Sequence, residues 1–304
     1  MLALDSMNSY YSIELKRLRV EELYGLKCEG DFSFTQMDIS EEKVSSLAKE
    51  FAPETVVHLA AQPGVRLGLS GIKQYSRDNI EAFLRVLSTA VDSGAKNFLY
   101  ASSSSVYGAT SSTPFSEKET QLQPTSIYGV TKLANEMFAS TGNDTGVRCR
   151  GMRFFSVYGP KGRPDMAYFR AVAASILGTR FYLNGTGQVA RDFTFIDDVC
   201  DSIMLLSSEL SERPLGFSDV VNIGGGAPVT INKLIEVVSQ KTGKQIDVVK
   251  KEAIREDLLL TQASYQYLQD LTNKQSFKDF ESGIEDTVNW FLKYPTSTIN
   301  SWLK

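Results

Sequence analysis

Short apolar runs that alternate with amphipathic segments constrain the fold of this 304-residue chain more than any other feature. Residues 54–61 and 96–104 are apolar and end in small or polar residues, as buried parallel strands do where they leave a sheet. Between them, apolar residues recur at helical spacing from Ile80 to Val91. Strands that alternate with helices form βαβ units, and we therefore expect an α/β fold with a doubly wound parallel sheet.

The alternation continues to residue 159 and then breaks down. Further strands are expected at 149–157 and 219–223, and a helix is expected from about Ser126 to Thr141. The later segments contain scattered turns and fewer regular elements, which is typical of a smaller mixed α/β substrate lobe. The two expected units are a Rossmann-like domain of residues 1–159 plus about 193–224, and a substrate lobe of about 160–192 plus 225–304.

The first residues predict an unusual start for such a fold. A dinucleotide-binding fold opens with a strand, a glycine-rich turn and a helix whose N–H groups hold a pyrophosphate. Residues 2–5 instead resemble the second strand, and the terminal Asp5 suits the hydroxyls of an adenosine ribose. Residues 224–226 are the only glycine cluster, too late in the chain for the phosphate role. We therefore expect the first βα unit, roughly 25–30 residues, to be missing from this sequence.

Composition and charge argue against several classes of protein. The net charge of −4 gives no general attraction to nucleic acid or acidic membranes. No apolar run approaches the roughly 20 residues of a membrane helix. Cys28, Cys149 and Cys200 are odd in number and far apart, which fits reduced thiols and neither a disulfide framework nor a zinc site. We expect a cytoplasmic protein without a metal, nucleic-acid or membrane partner.

Tyr128 and Lys132 are four residues apart and therefore lie on one face of the expected helix. A nearby ammonium favours the tyrosinate and lowers the tyrosine pKa toward a value useful for a base. The pair alone is weak, because Tyr-x-x-x-Lys matches are common by chance. The upstream strand, however, ends in four consecutive serines, residues 102–105, which we call the serine run. A hydroxyl at that edge of the sheet can bind a sugar hydroxyl during its oxidation.

With these features in order, nearly the whole chain resembles an extended short-chain dehydrogenase/reductase of the nucleotide-sugar epimerase/dehydratase type. Residues 58–62, His-Leu-Ala-Ala-Gln, are similar to the family's segment that approaches the cofactor after the third strand. His58, the only histidine, is expected to be a buried residue at that strand end rather than a catalytic group. The resemblance implies NAD as the cofactor. The expected cofactor-binding residues are Asp5, Asp38, Ile39, Ala60, Ala61, Asn79, Tyr128 and Lys132.

The residues around the serine run narrow the reaction that the resemblance implies. Dehydratases of this group carry Asp-Glu where Ser104 and Ser105 stand, since acids are needed to eliminate water. UDP-glucuronate decarboxylases usually carry an acid at the place of Ser105, and both absences point to simple epimerisation. The stretches 153–160 and 162–167 closely resemble UDP-glucuronate 4-epimerases. UDP-galactose 4-epimerases tend to have Asn where Ser156 stands and lack the Gly-Arg-Pro-Asp-Met stretch.

A UDP-sugar is therefore the expected substrate, and the resemblance assigns residues to each of its parts. Arg191 begins the family's second long signature, where the arginine binds the UDP diphosphate with its planar fork. Asp257 would reach the uridine ribose. Its segment, residues 255–258, departs from the usual Pro-Gly-Asp-Val, and Ser264 replaces a usual aspartate, which weakens the assignment of the uridine end. The residues implied around the sugar carboxylate are Ser103, Ser104, Ser105, Ser156 and Arg163.

The expected reaction converts UDP-glucuronate to UDP-galacturonate through a 4-keto intermediate. Tyr128 takes the proton of the 4-hydroxyl while the hydride passes from C4 to NAD, and Ser103 binds the same oxygen. Lys132 tunes Tyr128, which makes Ser103, Tyr128 and Lys132 the expected catalytic residues. Two alternatives stay open: a 4-epimerase of another UDP-sugar, such as a UDP-N-acetylhexosamine or its uronic acid, and an inactive UDP-sugar-binding protein. The resemblance also implies a homodimer through helices at roughly 73–92 and 128–141.

Overall fold

The computed structural model describes residues 1–26, 30–64, 68–109, 112–141, 145–253 and 258–303. The strands are β1 Leu2–Asp5, β2 Ser33–Gln36, β3 Thr55–His58, β4 Asn97–Ser103, β5 Arg148–Phe154, β6 Ser156–Tyr158, β7 Arg180–Asn184, β8 Ala190–Phe195, β9 Ser218–Ile223, β10 Pro228–Thr230 and β11 Asp247–Lys251. The helices are α1 Ile13–Tyr24, α2 Lys43–Phe51, α3 Ile72–Tyr75, α4 Ala82–Asp92, α5 Ile127–Ser140, α6 Ala167–Leu177, α7 Ile196–Ser211, α8 Ile231–Thr242, α9 Gln266–Thr272, α10 Phe280–Phe291 and α11 Thr296–Trp302. None of the helices in these ranges is long and apolar enough to cross a membrane.

Four parallel strands form the central sheet in the order β3-β4-β5-β9. Both of its faces are covered, as the continuous apolar runs predict. Phe98 and Tyr100 of β4 pack with Phe83 of α4 on one side. Leu99, which lies between them, packs with Leu206 of α7 on the other side. The expected α/β class and the helices on both faces are confirmed.

The prediction of a single strand at 149–157 is wrong in one respect, because this segment forms two strands. β5 ends at Phe154 and β6 begins at Ser156. β5 pairs with β4 and β9, whereas β6 leaves the central sheet and pairs with β8. The break at Phe155 carries the chain from the first sheet to a second, three-stranded sheet in the order β10-β8-β6.

β1 and β2 form a parallel pair of their own, in which Leu2 lies opposite Ser33 and Asp5 opposite Gln36. In the ranges that the structure describes, no ladder joins β1 to β3, so this pair lies in a sheet separate from the central one. The sequence pattern did not predict this division of the sheet. The expectation about the first βα unit stays a prediction.

A large aromatic core holds the C-terminal part together. Phe169 of α6, Phe291 of α10 and Trp302 of α11 are all at most 2% exposed and pack against one another. Leu15 of α1 belongs to the same core, and the hydroxyl of Ser301 donates to Glu14 at 2.8 Å. α1 therefore packs against the region predicted to be the substrate lobe. The predicted domain boundaries themselves stay a prediction.

Candidate active site

A cavity of about 1510 Å³ lies at the C-terminal ends of β1, β3 and β4. Its volume exceeds the range of about 300–1,000 Å³ that is usual for one small ligand, which leaves room for a cofactor and a substrate together. Its lining includes most of the residues predicted from the sequence, namely Asp5, Asp38, Ile39, Ala60, Ala61, Ser103, Ser104, Ser105, Tyr128, Lys132, Ser156, Arg163 and Arg191. Asp257 lies outside the described residues.

The N-terminus of α5 is pressed closely against the serine run. Ser126 caps the helix, because its Oγ accepts from the backbone N–H of Gly129 at 3.1 Å. A Cβ atom at Gly129 would lie only 2.6 Å from the carbonyl oxygen of Ser105. Only glycine therefore allows this approach, and it brings the Tyr128 and Lys132 side chains to the edge of β4.

Ser103, Tyr128 and Lys132 meet at the end of β4, as the sequence predicts. Ser103 lies near enough to Tyr128 to favour its ionised form by hydrogen bonding, and Ser103 Oγ donates to Ser105 Oγ at 3.1 Å. Lys132 is 3% exposed, and its Nζ donates to the carbonyl of Ala101 at 2.8 Å. The same nitrogen lies 5.8 Å from the centroid of the Tyr128 ring. A phenol, a hydroxyl and an amine thus converge on one wall of the cavity.

The pKa of Tyr128 is raised, contrary to the expectation that Lys132 lowers it. Burial raises the pKa of Tyr128, and the charge of Arg163 together with the Ser103 hydrogen bond only partly opposes that rise. Burial also lowers the pKa of Lys132 to about 8. Loss of hydration disfavours the charged form of both groups, and at Tyr128 this effect outweighs the attraction of neighbouring cations.

His58 is buried, as predicted. It is 7% exposed and stacks on Phe98 with ring centroids 6.2 Å apart. Burial, assisted by the nearby charge of Lys132, lowers the pKa of His58 to about 3, which keeps the imidazole neutral. Its neighbours are core aromatics, in keeping with a structural residue.

The loop from Gly159 to Met166 lines the same cavity as Tyr128. A Cβ atom at Gly162 would lie 1.5 Å from the hydroxyl oxygen of Tyr168, so the loop can pack there only as glycine. Arg163 follows and pairs with Asp165 through two hydrogen bonds of 3.0 Å each, one from Nε and one from Nη2. The Arg163 side chain is 30% exposed, and its charge acts on Tyr128. The predicted sugar-binding arginine therefore lies beside the predicted base.

The end of the cavity expected to bind the cofactor is lined by Asp5, Asp38, Ile39 and two small residues, Ala60 and Ala61. Asp5 Oδ1 accepts from the backbone N–H of Met7 at 2.6 Å, at the exposed end of β1. The backbone and hydroxyl hydrogen bonds of Ser40 lower the pKa of Asp38 and keep it charged. Carboxylates at the strand ends and alanines after β3 suit a dinucleotide, whose ribose hydroxyls need acceptors and whose rings need space.

Asn79 occupies a different environment from the one expected. It is 1% exposed and does not line the described part of the cavity. Its Nδ2 donates to the Gln62 carbonyl and to Thr131 Oγ1, both at 3.1 Å, and its Oδ1 accepts from Gln62 N–H at 2.8 Å. These bonds join the segment after β3 to α5. Its predicted contact with the cofactor stays a prediction.

Arg191 lines the cavity on β8 and donates to the carbonyl of Leu258 at 2.6 Å. The next residue, Asp192, is fully buried and accepts from the N–H groups of Gly225, Gly226 and Ala263 at 2.8–3.0 Å. Asp192 thus fixes residues 224–226 as a structural turn between β9 and β10.

Sequence reasoning missed the basic residues of α1 that line the cavity, Lys16 and Arg19. Lys16 Nζ donates to the Asn8 carbonyl at 2.8 Å and to Asn8 Oδ1 at 2.9 Å. Arg19 donates to the Tyr11 hydroxyl at 2.6 Å and to the Gly162 carbonyl at 2.8 Å. Their spacing of three residues could have indicated a shared helix face. α1 therefore supplies positive charge to the cavity and holds the loop that carries Arg163.

Comparison with known proteins shows which family the chain belongs to. A model of the NAD dependent epimerase/dehydratase family matches residues 7–224. The UDP-glucuronate 4-epimerase of Thermodesulfobacterium geofontis is 34% identical over 296 residues, which cover 95% of this chain and 88% of that protein. Among solved structures, UDP-glucuronic acid 4-epimerase from Bacillus cereus in complex with UDP-glucuronic acid and NAD matches with a TM-score of 0.86 and 26% identity, covering 96% of this chain and 90% of that chain. MoeE5 in complex with UDP-glucuronic acid and NAD matches with a TM-score of 0.83 and 29% identity, covering 96% and 98%.

The chain therefore belongs to the NAD dependent epimerase/dehydratase family. Within it, the fold, the site and the relatives define an isomerase, an NAD-dependent nucleotide-sugar epimerase.

Proposed function

We propose that this NAD-dependent UDP-sugar 4-epimerase acts on UDP-glucuronate and converts it to UDP-galacturonate through a 4-keto intermediate. The observation that carries the proposal is the position of Arg163, which lines the same cavity as Tyr128 and whose charge acts on it. Ser104, Ser105 and Ser156 add hydroxyl donors to that cavity. A guanidinium with several hydroxyls is the donor set that a sugar carboxylate requires.

Known relatives support this choice of substrate. The protein from Thermodesulfobacterium geofontis bears the name of the same reaction, and the structures from Bacillus cereus and of MoeE5 contain UDP-glucuronic acid with NAD. A second structure of MoeE5 contains UDP-glucose and NAD, with a TM-score of 0.83 and 28% identity. A neutral UDP-sugar is therefore the competitor that an experiment must separate from the uronate.

When bound, NAD would supply the acceptor for the hydride of C4 and the donor of that hydride to the opposite face of the 4-keto sugar. Tyr128 removes the proton of the 4-hydroxyl, and Ser103, which lies near Tyr128, binds the same oxygen. Lys132, whose Nζ lies 5.8 Å from the centroid of the Tyr128 ring, adds positive charge beside the base. Asp5 and Asp38 would hold ribose hydroxyls of the cofactor, and Arg191 would bind the diphosphate of the substrate.

Arg163 also protects the intermediate in this scheme. The 4-keto uronate is a β-keto acid, which loses carbon dioxide when the bond from C5 to the carboxylate lies perpendicular to the plane of the C4 carbonyl. A planar guanidinium that holds the carboxylate in one position disfavours that orientation of the bond. Ser104 and Ser105 stand where an acid would assist elimination or decarboxylation, and hydroxyls are too weakly acidic to do so at neutral pH.

One feature of the loop favours the second candidate, a 4-epimerase of a neutral UDP-sugar. Asp165 already neutralises Arg163 through its Nε and Nη2 atoms. A substrate carboxylate must therefore displace Asp165 or use the Nη1 edge of Arg163, for which no protein partner exists within the described ranges. Substrate affinity measured in loop variants separates the two candidates.

The first prediction concerns Arg163→Met and its effect on binding. Losing the guanidinium should raise the Kd for UDP-glucuronate about tenfold to a hundredfold, because a charge-assisted bidentate contact disappears. The Kd for UDP-glucose should stay within about twofold, which is below the tenfold step of 1.4 kcal/mol. Calorimetric titration of the NAD-loaded protein measures both constants.

The matched control is Asp165→Asn, which keeps Arg163 and removes the competing charge. It should lower the Kd for UDP-glucuronate and leave that for UDP-glucose unchanged. Equal weakening of both ligands by Arg163→Met, or no weakening of either, would contradict a carboxylate site at Arg163 and favour the neutral sugar.

We also propose a homodimer in which α3, α4 and α5 of two subunits pack together. Ile72, Leu84, Val130 and Met137 of these neighbouring helices are 50%, 39%, 52% and 63% exposed. Val130 and Met137 are seven residues apart and therefore share one side of α5. An apolar patch on adjacent helices suits a second copy of the same surface, because a two-fold axis would place each helix against its equivalent.

A further inference from the structure

A buried ion pair lies behind the serine run, on the face of the central sheet that α5 covers. Glu136 of α5 and Arg153 of β5 are 7% and 3% exposed. Arg153 Nε donates to Glu136 Oε1 and Arg153 Nη2 donates to Glu136 Oε2, both at 2.8 Å. This two-pronged geometry fixes the direction of both side chains, and with it the distance between the helix and the strand.

The pair is also bonded to the residues on either side of the catalytic serines. Ser102 Oγ donates to Glu136 Oε1 at 2.5 Å, immediately before Ser103. Arg153 Nη1 donates to the hydroxyl of Tyr107 at 2.9 Å, and that hydroxyl donates to Asn222 Oδ1 at 2.7 Å. Ser102, at the start of the serine run, and Tyr107, two residues after its end, are therefore both bonded to this buried ion pair.

Glu136 continues the catalytic face of α5. It stands four residues after Lys132 and eight after Tyr128, which is helical spacing along one side of the helix. The three side chains span about 12 Å of the helix at 1.5 Å per residue. Lys132 reaches Ala101 of β4, and Glu136 reaches Ser102. Lys132 and Glu136, on successive turns of this face, are thus bonded to adjacent residues of the strand that ends in Ser103.

We propose that Glu136 and Arg153 are positioning residues that hold α5 against the serine run and so set the approach of Tyr128 to Ser103. Stability alone does not account for such a pair, because desolvation of two buried charges largely cancels their attraction and an apolar pair can replace them. Hydrogen bonding by Ser103 is one of the two interactions that oppose the rise of the Tyr128 pKa. The inference rests on the proposed role of Tyr128 as the base.

The same strand offers a matched control. Arg150 lies three residues before Arg153 on β5 and is fully buried on the opposite face, against α7. It donates to Asp219 Oδ1 at 2.7 Å and to Asp219 Oδ2 at 2.8 Å. Glu136→Gln and Asp219→Asn each remove one charge from a two-pronged arginine pair, but only the first lies behind the catalytic residues, and in the second Arg150 keeps Glu209 at 2.6 Å.

The experiment compares kcat, KM and the ionisation of Tyr128 in Glu136→Gln and Asp219→Asn, with UDP-glucuronate as the substrate. Glu136→Gln should lower kcat about tenfold or more with little change in KM, because it alters geometry that matters in the transition state. Asp219→Asn should leave kcat within about twofold, although it too removes a charged partner of a buried arginine and should lower thermal stability. Equal kcat in the two variants would overturn the proposal.

Ionisation of Tyr128 supplies a readout that needs neither substrate nor cofactor. Tyrosinate absorbance is titrated in each variant and in the same variant carrying Tyr128→Phe, and the difference isolates Tyr128. Loss of the Ser103 hydrogen bond should move the Tyr128 pKa upward in Glu136→Gln. Removal of a negative charge by itself would move it downward. A downward shift or no shift would contradict positioning, whatever the substrate proves to be.

A double variant tests the proposal even if the single variants fail to fold. Glu136→Met with Arg153→Met leaves no unpaired buried charge and should fold stably. We expect it to keep the native circular dichroism spectrum while kcat falls as in Glu136→Gln. Wild-type kcat in a stably folded double variant would overturn the proposal.

Discussion

Burial decides the protonation of the side chains around Tyr128. It raises the pKa of Tyr128, lowers that of Lys132 to about 8 and lowers that of His58 to about 3. Each charged form loses hydration in the interior, and the neighbouring groups restore only part of that loss. At neutral pH Lys132 therefore keeps its charge with little margin, and a rise in pH by about one unit neutralises half of it.

The second prediction uses His58, the only histidine of the chain. Its pKa is lowered in the fold, so below pH 6.5 the unfolded chain binds a proton that the folded protein refuses. Stability should therefore fall as the pH drops from 6.5 toward 3, by about 1.4 kcal/mol per pH unit. His58→Leu removes this contribution. Urea unfolding of both proteins at several acidic pH values checks it, and parallel pH dependences would show that His58 is not held neutral.

At the scale of single residues, the sequence predicted those whose chemistry depends on local spacing. Tyr128 and Lys132 share a helix face, and the serine run ends a strand, so their meeting follows from the α/β pattern. The positions of Asn79 and Glu136 depend on bonds to residues 17 positions away, Gln62 and Arg153. No local pattern specifies such partners. The sequence also could not show that burial outweighs charge at Tyr128.

The third prediction concerns the close contact of α5 with the serine run. In Gly129→Ala the new Cβ would lie 2.6 Å from the Ser105 carbonyl oxygen and 2.9 Å from Pro124 Cβ, so the helix must move away. We expect kcat to fall about tenfold or more, since displacing a catalytic group by less than 1 Å can be costly. Stability should fall by about 1–3 kcal/mol, as in other overpacked sites. Steady-state kinetics and thermal unfolding measure both.

Val130→Ala, at the next and exposed position of α5, is the control for Gly129→Ala. It changes the same helix without touching the serine run and should keep kcat within about twofold. Normal kcat in Gly129→Ala would show that the contact of Gly129 with Ser105 does not place Tyr128.

Helices and strands with a clear hydrophobic period were predictable from the sequence. Those whose bounds depend on their tertiary partners were not. β3, β4 and α5 follow from apolar runs and helical spacing within a few residues of their ends. α1 was missed because its charged residues Glu14, Lys16 and Arg17 interrupt any apolar stripe. The break at Phe155 was missed because β5 and β6 read as one run, and only their pairing with different sheets separates them.

At the scale of the whole molecule, the fourth prediction tests the proposed dimer. Val130→Glu with Met137→Glu places charges in the exposed apolar patch of α5 and should convert a dimer to a monomer, because unpaired charges at an interface core are costly. Met204→Glu is the control, since Met204 is 71% exposed on α7, away from that patch. Sedimentation velocity measures the mass. A wild-type monomer, or a dimer that survives the double change, would contradict the proposal.

Two expectations for the whole molecule stay predictions. The cytoplasmic location rests on the three scattered cysteines, and the two-domain division rests on where the alternation of elements ends. The separation of the β1–β2 pair from the central sheet was not predictable, because strand patterns predict which segments form strands and not which edges meet. The common cavity is what unites these parts: residues from β1, β4, α5 and the loop after β6 all line it.

The fifth prediction tests the central claim most directly. The chain is incubated with NAD and UDP-glucuronate, and the nucleotide sugars are separated by ion-pair chromatography, with Tyr128→Phe as the matched control. The account predicts that UDP-galacturonate appears with the wild-type chain and falls by about a thousandfold or more with Tyr128→Phe, because the base is lost. Absence of UDP-galacturonate in the wild-type reaction, or equal conversion by Tyr128→Phe, would contradict it.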